Sequence, residues 1–327
     1  MSRTRRRSLS FAIAAGAILT ACVETDSPST SPDDIATDTT LPARERLSVA
    51  VAFFPIEDMV RSVGGDAVEI IRLVEPGMPA HDAELTASQL KALSEADVVF
   101  YFGENFQPAV ESVIAQLPAR VTKVDLYSVE GVAHLATDGK DADHSGDDHD
   151  HGDEDPHIWL DPANMDAMAR TVAATLAELA SDSRETIESS TLGYTADLAA
   201  LGDEIDAAFA SCMSRTLVTA HDAFGYLAHR ADLSTASITG VNPQDQPSAK
   251  ELEVIADAAR SARVETVFFE NALPADLSRT VADAIGASVD VLDTVESVSR
   301  DALDAGATYS SIMRDNVTKI ARGLGCS

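Results

Sequence analysis

The chain has 327 residues, with 54 acidic against 24 basic side chains and a formal net charge of −30. A surface this acidic disfavours nucleic acid and anionic lipid headgroups and suits a protein that gathers cations. Its length predicts two folded domains behind a leader.

Residues 1–21 read as a signal peptide. Arg3, Arg5, Arg6 and Arg7 form a basic start, and the apolar run 9–21 is too short to span a bilayer as a mature helix. The run ends Leu19-Thr20-Ala21-Cys22, which resembles a bacterial lipobox. Cys22 is therefore the expected lipidation site, and residues 22–46, rich in Ser, Thr, Pro and Asp, the expected disordered tether. Together they predict an extracytoplasmic protein anchored to the cell membrane as a lipoprotein.

Beyond the tether, short apolar runs alternate with helical patterns. Strands are predicted at 47–53, 68–74, 97–102 and 121–127, and again at 216–220, 234–239, 265–270 and 288–292. Near-continuous apolar strands separated by helices imply mostly parallel sheets covered on both faces. Thr86 with Gln89 and Ser248 with Glu251 read as capping boxes. Asp161-Pro162 reads as a helix start and Gly286 as a stop. The stretch 162–211 is helical in composition, with an apolar stripe of Leu192, Leu198, Leu201, Ile205 and Phe209. The expected architecture is α/β: an N-terminal lobe over 47–182, a connecting helix over 183–211 and a C-terminal lobe over 212–327. Each lobe carries a four-stranded sheet.

Residues 138–157, DGKDADHSGDDHDHGDEDPH, hold four of the chain's eight histidines among nine acidic residues. A segment this polar cannot bury itself, and it offers imidazole and carboxylate ligands to divalent cations. His144, His149 and His151, within the loop 138–156, are expected to contact metal. His157 opens a different kind of sequence, DPHIWLDP, which reads as folded.

Three histidines share one setting. His81, His157 and His221 each stand where a strand or loop hands over to a helix, the edge at which α/β sheets bind ligands. Three neutral imidazoles leave a dication's charge uncompensated, so a carboxylate should complete the set; Asp293 and Glu296, after the last strand, are the candidates. Imidazoles with one carboxylate suit Zn2+ best. His134 and His229 read as structural, and Phe53, Phe54 and Trp159 as cleft walls or core. Outside the cell, Cys212 and Cys326 are expected to pair as a disulfide.

PGMPAH, DPHIWLDP, HDAFGYLA, ITGVNPQDQPS, VFFE and YSSIMRDN, in that order, resemble the solute-binding proteins of zinc and manganese ABC importers, the ZnuA-like group of the cluster A-I family. The resemblance covers roughly 47–325. It implies two α/β lobes, a long connecting helix and a metal site in the cleft between them, with His81, His157 and His221 on the family's ligand positions. Manganese-type members tend to have Glu where this chain has His221, which favours zinc. Glu296 matches a family Glu better than Asp293 does, although Thr294 and Ser297 replace the usual Pro and Gly. The implied partners are a membrane permease and its ATPase, with the binding protein itself monomeric. The rival readings are a manganese- or iron-binding member of the same class, a surface adhesin with a metal site, and a zinc hydrolase. The last lacks an HExxH or similar helical pairing.

Overall fold

The computed structural model describes residues 46–136, 154–241, 243, 246–270 and 275–327, all within one compact unit. The leader, the tether, Cys22 and the loop histidines His144, His149 and His151 lie outside the described residues. Among the described residues no helix is long and apolar enough to cross a membrane.

The chain runs β1 (Leu47–Val51), α1 (Phe54–Gly64), β2 (Val68–Arg72), α2 (Ala87–Glu95), β3 (Val98–Tyr101), α3 (Pro108–Ala115) and β4 (Thr122–Asp125). Two long helices follow, α4 (Pro162–Leu179) and α5 (Arg184–Ala208). The second half is β5 (Thr216–Thr219), α6 (Gly225–Arg230), β6 (Ser234–Ser237), α7 (Ala249–Ser261), β7 (Thr266–Glu270), α8 (Asp276–Ile285), β8 (Ser288–Leu292), α9 (Arg300–Asp304) and α10 (Tyr309–Leu324). The sheets have orders β2-β1-β3-β4 and β6-β5-β7-β8, and every pairing is parallel. All eight predicted strands form, most ending a residue or two early. β1 stops at Val51, for example, because Pro55 sits in the first turn of α1.

Local signals act as their chemistry requires. Thr86 and Ser248 each form a capping box, Asp161 accepts from the Ala163 N–H, and Gly286 closes α8 in the left-handed conformation. The predicted stripe on α5 needs one correction. Leu198, Leu201, Ile205 and Phe209 are buried, but Leu192 is 69% exposed. Six residues at about 100° each carry it about 120° round the helix from Leu198.

The main core does not stop at the lobe boundary. One buried cluster runs from Val49 and Phe53 through Trp159, Leu198 and Phe224 to Tyr309 and Leu324, while smaller clusters fill the outer face of each sheet. Polar contacts lie along the same seam: Trp159 donates its indole N–H to the Thr294 carbonyl (2.7 Å), and the Tyr309 hydroxyl donates to the Trp159 carbonyl (2.7 Å). Arg314 on α10 reaches Asp197 and Glu204 on α5.

Cys212 and Cys326 form the disulfide, 114 residues apart in sequence. It ties the end of α10 to the segment that leads into β5. Closing so long a loop restricts the unfolded chain, so reduction is expected to lower unfolding free energy by about 2–5 kcal/mol. Urea denaturation with and without reductant measures this; coincident curves would contradict it.

Candidate metal centre

In each lobe the strand order reverses between the first and third strands, opening a crevice at their carboxyl ends. The N-terminal lobe fills its crevice with rings. Phe53 packs against Phe102 (centroids 5.1 Å), Phe106 (4.9 Å) and Trp159 (4.9 Å). The C-terminal lobe fills its crevice with polar groups: His221 follows β5, and Glu270 is the last residue of the neighbouring β7.

His81 sits on the β2–α2 loop, His157 just before the short turn Ile158–Leu160 that leads into α4, and Glu296 on the β8–α9 loop. The structure brings these three together with His221. One donor atom from each lies within 4.8 Å of all the others. The Glu296 carboxylate is 3.4 Å from His81 Nε2, 3.6 Å from His157 Nε2 and 3.8 Å from His221 Nε2. A tetrahedron with bonds of about 2.0–2.1 Å has edges of about 3.3–3.4 Å, so the Glu296 edges are close to those of a closed zinc site while the whole set, reaching 4.8 Å, is wider.

The protonation pattern calls for a cation. Asp155 Oδ1 lies 2.7 Å from His157 Nδ1, and Glu270 Oε2 bonds His221 Nδ1. Each carboxylate also takes its histidine's backbone N–H, at 2.9 and 3.0 Å. Such partners hold the proton on Nδ1 and turn the Nε2 lone pair inward. The two Nε2 atoms then face each other at 3.4 Å, an arrangement of lone pairs that only a proton or a metal between them relieves. Among the described residues His81 Nε2 and Glu296 Oε1 are buried with no hydrogen-bond partner, which is costly unless an ion satisfies them.

Burial resists ionisation of Glu296, but the three imidazoles, His81 foremost, outweigh it and bring its carboxyl down to about 2. Burial likewise resists charging His221, yet Glu270 first and Glu296 after it lift that imidazole to about 9. At neutral pH a metal must therefore displace a proton from His221 Nε2. Metal affinity therefore rises with pH up to about 9, His221 alone contributing about tenfold per unit, and falls as the medium becomes acidic. Calorimetry at pH 7 in buffers of differing ionisation enthalpy is expected to count about one proton released per metal; a count of zero would contradict it.

The remaining sequence-predicted residues fall elsewhere. Asp293 accepts from the Val295 N–H at 2.8 Å, while Asn316 of α10 bonds both its backbone N–H and its carbonyl. These bonds hold Val295 at φ 64°, a left-handed conformation unusual for a β-branched residue, and so aim Glu296 into the cluster. His134 lies 3.4 Å from Glu154, and His229 is exposed on α6. Of the aromatics, Phe53 and Trp159 are fully buried beside the site and Phe54 nearly so. Sequence reasoning missed Asp155, hidden inside the acidic run, and Glu270, whose place at the end of a buried apolar strand was the available signal.

Comparison with known proteins follows the same lines. The chain is 27% identical over 278 residues to the zinc-binding lipoprotein AdcA of Streptococcus pneumoniae, covering 83% of this chain and 54% of that protein. It thus spans about half the length of that relative. A ZnuA deletion mutant crystallised with zinc bound superposes with a TM-score of 0.72 at 28% identity, covering 86% of this chain and 98% of that one. The Zn(II)-bound ZnuA-like domain of S. pneumoniae AdcA gives 0.71 at 25% identity, covering 86% and 99%. The family model for ZnuA, zinc-uptake complex component A, periplasmic, matches residues 49–323. Two parallel four-stranded lobes, a long helix between them and that match along nearly the whole folded chain place this protein in the ZnuA family.

Proposed function

We propose that this protein is an extracytoplasmic solute-binding protein that captures Zn2+ and delivers it to an ABC-type importer. The observation that carries the reading is the convergence of His81, His157, His221 and Glu296 donors within 4.8 Å of one another at the junction of two lobes. Three imidazole nitrogens and one carboxylate oxygen are a zinc donor set, softer than the oxygen-rich sets of manganese, calcium or magnesium. Four protein donors fill a tetrahedron, whereas a catalytic zinc keeps a position for water. That argues for binding and release over hydrolysis. The permease and ATPase are the partners this role requires, and lipidation at Cys22 would keep the protein at the membrane.

The test is zinc uptake. In cells whose own zinc-binding protein has been replaced by this chain and its cognate permease, radiolabelled zinc should enter at limiting zinc. Uptake should be lost in the His221→Ala variant. Uptake that is equal with and without the four donors would overturn the reading. Deleting residues 138–153 should slow uptake only at limiting zinc, if His144, His149 and His151 serve as an accessory collector; unchanged uptake there would mark the loop as dispensable.

A further inference from the structure

The three histidines are not held alike. His157 and His221 are buried and each has a carboxylate at Nδ1. The side chain of His81 is 12% exposed, and its one carboxylate contact among the described residues is Glu296 itself, at Nε2. What positions His81 must therefore act on its backbone or ring. Its ring packs edge-on against Phe106, with centroids 4.8 Å apart. The carbonyl of the preceding residue, Ala80, accepts from Gln107 Nε2 at 2.8 Å.

Gln107 is built to be a fixed point. It is 1% exposed and caps α3, where the Glu111 N–H donates to its carbonyl (2.9 Å) and Glu111 Oε1 accepts from its N–H (2.9 Å). The other carboxylate oxygen of Glu111 holds the Asn105 N–H. Yet the Gln107 side chain is only half satisfied, because Oε1 is buried with no partner among the described residues. An apolar side chain of the same size would fill this space without an orphaned acceptor. A glutamine there has one evident use, the bond to Ala80.

We propose that Gln107 is the positioning residue of His81 and that its amide sets how fast the metal leaves the site. His81 is then the ligand that disengages first, and the Gln107–Ala80 bond is the restraint on that step. This rests on the zinc-capture reading and adds to it a rate control that touches no metal.

The experiment uses the full-length chain and zinc alone. Zinc release to excess chelator is followed by stopped flow for the parent, Gln107→Met, His81→Ala and the double variant. Gln107→Met removes the donor and the orphaned acceptor together, so folding should be retained. Zinc release should accelerate about five- to tenfold, the worth of one hydrogen bond. In the His81→Ala background the same change should have no effect, since residues that act through one another are non-additive. The Co2+ complex of Gln107→Met should also lose visible absorption intensity as His81 detaches. An unchanged release rate, or equal acceleration in both backgrounds, would overturn the positioning role. If instead His81→Ala bound zinc as tightly as the parent, the zinc-capture reading itself would fail.

Discussion

Replacing His157 by alanine is expected to abolish tight zinc binding, weakening it on the order of a thousandfold. Loss of a partner that merely supports a ligand costs a metal site about 10–100-fold, and His157 is itself one of the four clustered side chains. It is fully buried, lies 3.4 Å from His221 Nε2 and 3.6 Å from Glu296, so no neighbour can take its place without moving the backbone. The Asp155→Asn variant separates the two effects. It keeps the shape beside His157 Nδ1 and removes the charge, so it should fall in the 10–100-fold range. Competition against a chromophoric chelator measures both. Parent-like affinity in His157→Ala would remove that residue from the site.

The second large effect concerns stability. Trp159→Ala should lower the unfolding free energy of the metal-free protein by about 3–5 kcal/mol, the usual cost of deleting a large buried aromatic. Trp159 is fully buried, sits among Phe53, Phe102 and Phe106, and bridges the lobes through its indole N–H to Thr294. Trp159→Phe keeps most of the volume and loses that bond, so it should cost about 1 kcal/mol beyond repacking. It should also loosen zinc, because Thr294 lies two residues before Glu296. Urea unfolding gives the stabilities. A loss below about 1 kcal/mol in Trp159→Ala would mean that the lobes do not share one core.

Much of this architecture was legible because it rests on local rules. Parallel strands buried on both faces read as continuous apolar runs, and Thr86, Asp161, Ser248 and Gly286 are punctuation with a mechanism. The clustered histidines were legible for a different reason: His81, His157 and His221 stand at strand-to-helix transitions, where α/β sheets present ligands. What stayed hidden depends on three-dimensional neighbours. Glu270 becomes a partner of His221 only because β5 and β7 are adjacent. Gln107 reaches Ala80 across 27 residues of sequence, and no pattern announces it. The resemblance already favoured Glu296 over Asp293, but the left-handed Val295 backbone that aims Glu296 is one that sequence rules would not place there. Leu192 shows the converse error, an apolar residue assigned to a stripe from which helical geometry excludes it.

One zinc ion held by four side chains drawn from both lobes has a direct crystallographic signature. Crystals of the zinc-loaded protein, with anomalous data collected on both sides of the zinc edge, would reveal it. One strong peak is expected about 2.0–2.1 Å from the Nε2 atoms of His81, His157 and His221 and from a Glu296 oxygen. A peak that lacks any of these four donors, or no peak between the lobes, would contradict it.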